Sequence, residues 1–200
     1  MTELILCFDL RSPFTYFATQ RLTILHDAGA EIRLRPVSID GLLNLQAGRE
    51  VWADYVDPLP PPKRAHLMQD IPRMADFWNI PLSWPPSFRP VSRRAMCLAS
   101  LEDVGAKELH QLLEFSSSAL WRDGRDLNEP NIFNRMLAIT NINHFDDKLE
   151  SEGLKILERN TKDAYERGVF GVPSFIVGDR VYFGADRMEM LADRVREGTE

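Results

Sequence analysis

Leu10-Arg11-Ser12-Pro13 follows directly on a short apolar run, Leu4-Ile5-Leu6-Cys7-Phe8-Asp9, that reads as a first strand. From Pro13 onward Phe14, Phe17, Ala18, Leu22 and Leu25 recur at helical spacing, and Gly29 stands where a helix would stop. Ser12 is therefore expected at the cap of a helix whose first residue is proline, a placement both residue types favour. A hydroxyl there faces the positive end of the helix, where an anion is stabilised. Two roles follow from this placement, an ordinary helix cap or the centre of an active site.

The other groups able to do chemistry are sparse. Gly171-Val172-Pro173 stands immediately before a strand-like segment. A proline there is structurally ordinary, and an X-Pro bond is the one peptide bond with ready access to the cis form. The four histidines, at 26, 66, 110 and 144, have no metal-ligand spacing and no cysteine pairs beside them. Asp146-Asp147 reads as a solvated acidic turn. Trp52, Trp78, Trp84 and Phe88 could wall an aromatic pocket, although buried packing is the default for each. No phosphate-binding glycine loop or G-x-S-x-G elbow occurs.

The elements that must position these groups show an α/β pattern. Glu31 to Val37 alternates charged and apolar residues as a second strand, which with the first strand and helix suggests a parallel βαβ unit. Helical patterns follow over 39–46, 62–79, 92–102, 106–122, 130–139 and 144–149, broken by proline-rich loops at 57–62 and 80–90. A further helix is expected over 152–167, a hairpin over 174–183 with its turn at Gly178-Asp179, and a last helix from Asp186 to about Arg196.

Bulk properties narrow the function. A hydrophobic fraction of 44% and a charged fraction of 27% are those of a soluble globular protein. The net charge of −6 gives no reason to expect nucleic acid or an anionic membrane as partner. No apolar run approaches a transmembrane span, and Met1-Thr2-Glu3-Leu4 lacks the start of a signal peptide, so the expected location is cytoplasmic. Cys7 lies in a strand pattern and Cys97 in a helix pattern, which predicts two buried thiols rather than a disulfide.

Phe8-Asp9-Leu10-Arg11-Ser12-Pro13-Phe14-Thr15-Tyr16-Phe17-Ala18 resembles the opening of the 2-hydroxychromene-2-carboxylate isomerases, which belong with the kappa-class glutathione transferases in the DsbA-like branch of the thioredoxin fold. Gly168-Val169-Phe170-Gly171-Val172-Pro173-Ser174-Phe175 and Gly184-Ala185-Asp186-Arg187 are similar to the end of the same family, and Lys63-Arg64-Ala65 to an internal helix start. The resemblance implies an α/β thioredoxin-like fold with a large α-helical insertion, residues 1–37 and 152–200 forming the thioredoxin-like domain and 38–151 the inserted helical domain. It further implies glutathione as cofactor, bound between the two.

On that resemblance, Ser12-Pro13-Phe14-Thr15 occupies the place of the Cys-x-x-Cys of disulfide oxidoreductases, so dithiol exchange is not expected there. Ser12 would be the catalytic residue, donating a hydrogen bond to the glutathione sulfur. A free thiol of pKa ~8.5 is about 3% ionised at pH 7, and lowering the pKa by about two units makes it roughly three quarters ionised, at about 2.7 kcal/mol of preferential anion stabilisation. Val172, exposed by a cis Pro173, would pair with the glutathione backbone. Asp186 would take its ammonium, Arg187 its α-carboxylate, and Lys63 its glycine carboxylate. Residue by residue, a helix cap for Asp186 and a solvated side chain for Arg187 stand as alternatives.

The implied reaction is glutathione-dependent cis-trans isomerisation of an aromatic pyruvate-type compound, by reversible addition of the thiolate to an enone. Alternatives are a kappa-like glutathione transferase or peroxidase, and a non-catalytic thioredoxin-fold protein that binds peptides. The expected partner is a small aromatic molecule, with a homodimer as the assembly often found among related proteins. The chain departs from the family at 47–52, where an asparagine is usual and extra residues appear, at His66 in place of an aromatic, and at Ser92 in place of an asparagine.

Overall fold

In a computed structural model the described residues are 2–54, 56, 59–87 and 89–198. A four-stranded sheet carries the fold, in the order β2-β1-β3-β4: β1 (Thr2–Phe8), β2 (Ala30–Pro36), β3 (Ser174–Val177) and β4 (Arg180–Phe183). β1 runs parallel to β2, as the βαβ reading predicts, and antiparallel to β3, with Leu6 opposite Phe175. β3 and β4 form the predicted hairpin, and Gly178 in its turn takes φ +53°, which glycine adopts without a Cβ penalty.

Period-2 alternation distributes β1 between two apolar layers. Leu4, Leu6 and Phe8 join Phe17, Leu25, Phe175 and Leu191 in the larger core, whereas Cys7 joins Val37, Leu42, Val172 and Ile176 in a second cluster. Both faces of the strand are covered, which is why it reads as a continuous apolar run. Each fully buried Leu or Phe contributes about 1.5–3 kcal/mol by leaving water.

Two helices, α1 (Pro13–Gln20) and α2 (Thr23–Asp27), connect β1 to β2. The sequence pattern predicts one helix here, and the structure divides it at Arg21, whose backbone leaves the helical region at φ −120°, ψ 9°. Arg21 is only 8% exposed: its guanidinium is held elsewhere, by contacts described below.

Between β2 and β3 lie α3 (Ile39–Gln46), α4 (Pro61–Trp78), α5 (Arg93–Ser100), α6 (Ala106–Trp121), α7 (Pro130–Thr140) and α8 (Asp147–Glu166). The expected short helix at 144–149 and the expected helix from Glu152 are one continuous α8. Its cap is Asp146, whose carboxylate accepts the Leu149 N–H at 3.0 Å and is held below the usual carboxylate range by that bond. Gly153 sits inside α8 because a Cβ there would lie 2.2 Å from the Cys97 carbonyl of α5, so the glycine marks close helix contact rather than a helix end. A 3₁₀ turn (Ala185–Arg187) precedes α9 (Met188–Glu197), where the sequence reading expects a single helix.

Residues 80–85 of the second proline-rich loop form neither helix nor strand, and they are tied down by the Tyr16 hydroxyl, which donates to the Pro81 carbonyl at 2.7 Å, and by Ser83 N–H to Trp121 O at 2.7 Å. Asp57 and Pro58 of the other proline-rich loop, and Phe88, lie outside the described residues. Cys7 and Cys97 are both buried free thiols, as expected. No helix among the described residues is long and apolar enough to cross a membrane.

Candidate functional site at the start of the first helix

Ser12 caps α1 as the sequence predicts. Its Oγ accepts the Thr15 N–H at 3.3 Å, its backbone is extended, and Pro13 occupies the first helical position. The same hydroxyl donates to the Val172 carbonyl at 3.2 Å, across 160 positions of sequence. The Val172–Pro173 peptide bond is cis. Ser12 and Val172 are 4% and 3% exposed, so this pair sits just beneath the surface. The fold therefore brings together a hydroxyl, a helix N-terminus and a peptide carbonyl.

Asp9 organises the loop that presents Ser12. It is 4% exposed, and its carboxylate accepts the Arg11 N–H at 2.9 Å, the Ile39 N–H at 3.0 Å and the Ser92 hydroxyl at 2.9 Å. Its own carbonyl accepts the Ser12 N–H at 3.1 Å, and the Leu10 carbonyl next to it accepts the Trp121 indole N–H at 2.9 Å. Three donors to one buried carboxylate fix the chain where β1 ends, which places the Ser12 hydroxyl. Sequence reading gives Asp9 no role; its one signal is an acidic residue ending an otherwise apolar strand.

Thr15 lies one helical turn below Ser12, fully buried, and its hydroxyl oxygen has no hydrogen-bond partner.

Asp186 and Arg187 lie in the 3₁₀ turn after β4, entered through Gly184 at φ +104°. The Gly184 N–H donates to the Pro173 carbonyl at 2.9 Å, so this turn is joined to the cis-proline segment. Arg187 Nη2 lies 3.8 Å from Asp186 Oδ2, with both side chains about half exposed. Arg21 braces the turn from beneath, donating to the Ala185 carbonyl at 2.8 Å, pairing with Glu189 and lying 3.9 Å from the centre of the Trp78 ring. Burial draws the Arg21 pKa down, and the charges of Glu189 and Asp186 oppose that shift. Lys63 is exposed in the first turn of α4, and no described contact joins it to Ser12, Val172 or Asp186.

A cavity of about 450 Å³ adjoins the Ser12 loop, lined by Asp9, Arg11, Asp40, Trp52, Arg89 and Arg93 among others. Of the aromatic residues considered as pocket walls, Trp52 lines this cavity. Trp78 packs edge-on against Phe17 at 5.7 Å, and Trp84 against Trp121 at 6.3 Å. Two of the departures from the family meet here. Trp52 contributes a wall, and Ser92 serves the Asp9 network at its edge. His66 is exposed on α4, away from any described contact of the site. Among the described residues no group of three or more His, Cys, Asp or Glu side chains could hold a metal ion.

Comparison with known proteins agrees with this fold. The model of the DSBA-like thioredoxin domain family matches residues 3–196. A 2-hydroxychromene-2-carboxylate isomerase of Pseudomonas sp. (strain C18) is 29% identical over 195 residues, covering 94% of this chain and 87% of that protein. Glutathione S-transferase kappa 1 of Rattus norvegicus is 26% identical over 94% of this chain and 88% of its own length. The solved structure of a selenomethionine 2-hydroxychromene-2-carboxylate isomerase superposes with a TM-score of 0.74 at 25% identity, covering 98% of this chain and 96% of that one. Relatives along the whole length bear enzyme names, which supports an enzymatic role. With the family model matching nearly the whole length, the chain belongs to the DSBA-like thioredoxin domain proteins.

Proposed function

We propose that this protein is a glutathione-dependent isomerase of an aromatic pyruvate-type compound. The observation that carries the reading is the Ser12 hydroxyl, 3.2 Å from the Val172 carbonyl at the N-terminus of α1. A ligand that carries a thiol beside a peptide group suits that pair, since one end can meet the hydroxyl and the other the Val172 backbone. The residues present fit glutathione in this respect, and the half-exposed Asp186 carboxylate offers a partner for its ammonium. The chemistry glutathione supplies when bound is a thiolate able to add reversibly to a conjugated enone.

Ser12 would turn its proton from the Val172 carbonyl to the sulfur, exchanging a neutral acceptor for an anionic one, which is the stronger bond. The α1 N-terminus adds its partial positive charge at the same point. Val172 and Pro173 would hold the backbone of the tripeptide, Asp186 and Arg187 its γ-glutamyl end, and Lys63 its glycine carboxylate. The cavity beside Arg11 would receive the aromatic substrate, with Trp52 against its ring.

The test is turnover of benzylidenepyruvate followed by its change of geometry, with glutathione present in catalytic amount. Isomerisation that requires glutathione and leaves its concentration unchanged is the expected result. Stoichiometric consumption would instead identify a kappa-like transferase, and absence of any glutathione effect would leave a peptide-binding protein.

A further inference from the structure

Among the described residues three serines stand at helix N-caps, and one of them does not cap. Ser12 accepts the Thr15 N–H at 3.3 Å and Ser38 the Gly41 N–H at 3.1 Å, each within its own helix. Ser92 precedes α5 and makes no such bond, although a serine in that position ordinarily does. Its hydroxyl donates instead to Asp9 Oδ1 at 2.9 Å, 83 positions away, on the same oxygen that accepts the Arg11 N–H at 2.9 Å. Asp9 Oδ2 takes the Ile39 N–H at 3.0 Å. Four residues after Ser92, the Met96 sulfur accepts the Leu10 N–H at 3.5 Å. Residues four apart share one face of a helix, so α5 turns that face onto Asp9 and Leu10, just before Ser12. Ser92 and Asp9 are both buried there.

We propose that Ser92 is a positioning residue for Ser12. A hydroxyl bond to a carboxylate is stronger than the neutral cap it replaces. That bond holds Asp9, whose own carbonyl accepts the Ser12 N–H at 3.1 Å. The hydroxyl also offsets part of the Asp9 charge near the start of α1, where a negative charge opposes any second anion. Both effects act in one direction: Ser92 favours an anion at Ser12, and its loss disfavours one. The inference rests on reading Ser12 as the anion-stabilising group, and it adds to that group a support from the helices between β2 and β3.

Ser12→Cys places a thiol at the site itself, so the test needs no glutathione and its failure is separable from failure of the isomerase reading. Cys7 and Cys97 are buried, and the pH dependence of iodoacetamide alkylation then reads the introduced thiol. Its pKa is expected at least about one unit below the ordinary ~8.5, as for thiols at helix N-termini. Adding Ser92→Ala should raise that pKa by at least about half a unit, roughly a threefold change in the ionisation constant. Ser92→Thr keeps the hydroxyl and should leave the pKa where Ser92 holds it. An unshifted thiol in Ser12→Cys, equal pKa values with and without Ser92→Ala, or an equal rise with Ser92→Thr would overturn the proposal.

Discussion

The Ser12 hydroxyl has two hydrogen bonds in this structure, one accepted from Thr15 and one donated to Val172, and only the second reaches beyond its own helix. The cap is visible in the sequence because serine before proline is a local preference. The partner is not, because a contact across 160 positions depends on how β1 and β3 pair. The same holds for Asp9: its three donors come from Arg11, Ile39 and Ser92, from three separated segments. Thr15 offers a prediction at this scale. Its buried hydroxyl has no partner, and such a group costs about 1–3 kcal/mol in desolvation. Thr15→Val keeps the shape and the backbone bond to Ser12, so its urea midpoint should equal or exceed that of the wild type. A clear drop would show that the Thr15 hydroxyl is bonded in solution.

At the scale of elements, strands and most helices were legible because burial on one or two faces writes itself as period 2 or period 3.6. The misread boundaries share a cause. At Arg21, Gly153 and the 185–187 turn, a tertiary contact decides the local backbone: a guanidinium drawn to Ala185 and Trp78, a carbonyl pressed on a helix, a turn joined to Pro173. Gly153→Ala separates the two influences. Alanine is the better helix former by about 1 kcal/mol, yet its Cβ would lie 2.2 Å from the Cys97 carbonyl. Overpacking wins, and we expect a net loss of about 1–3 kcal/mol in a denaturation measurement. A stabilised variant would mean that α5 and α8 are farther apart than described. The proposed division into a thioredoxin-like unit and an inserted unit at 38–151 meets the same α8, which runs unbroken across its second boundary.

For the whole molecule, the two-faced sheet places Cys7 out of water and the α5 position of Cys97, packed against α8, does the same for it, and burial pushes their thiols up to about 12 and about 11 from an ordinary 9.0. The unfolded chain therefore releases these protons first as pH rises. Stability is intact below about pH 9 and declines above it, because the unfolded state binds fewer protons there. A cysteine-free variant should show a shallower decline, and native wild type should react slowly with a thiol reagent at pH 8 but fully once unfolded. Rapid native labelling would contradict the burial of Cys7 in the sheet or of Cys97 between α5 and its neighbours.

The same molecule joins Ser12 to Val172 just beneath the surface, in the loop that adjoins the arginine-lined cavity. The central claim is that the Ser12 hydroxyl at the start of α1 stabilises a thiolate. It is tested by titrating the thiol of bound glutathione through its ultraviolet thiolate absorbance, in wild type and in Ser12→Ala. The wild type should hold the thiol pKa about two units below that of free glutathione, and Ser12→Ala should return at least about one unit of that shift while losing only ~1 kcal/mol of folding stability as a cap. A bound thiol that titrates as it does in free solution, or an equal shift in both proteins, would contradict the account.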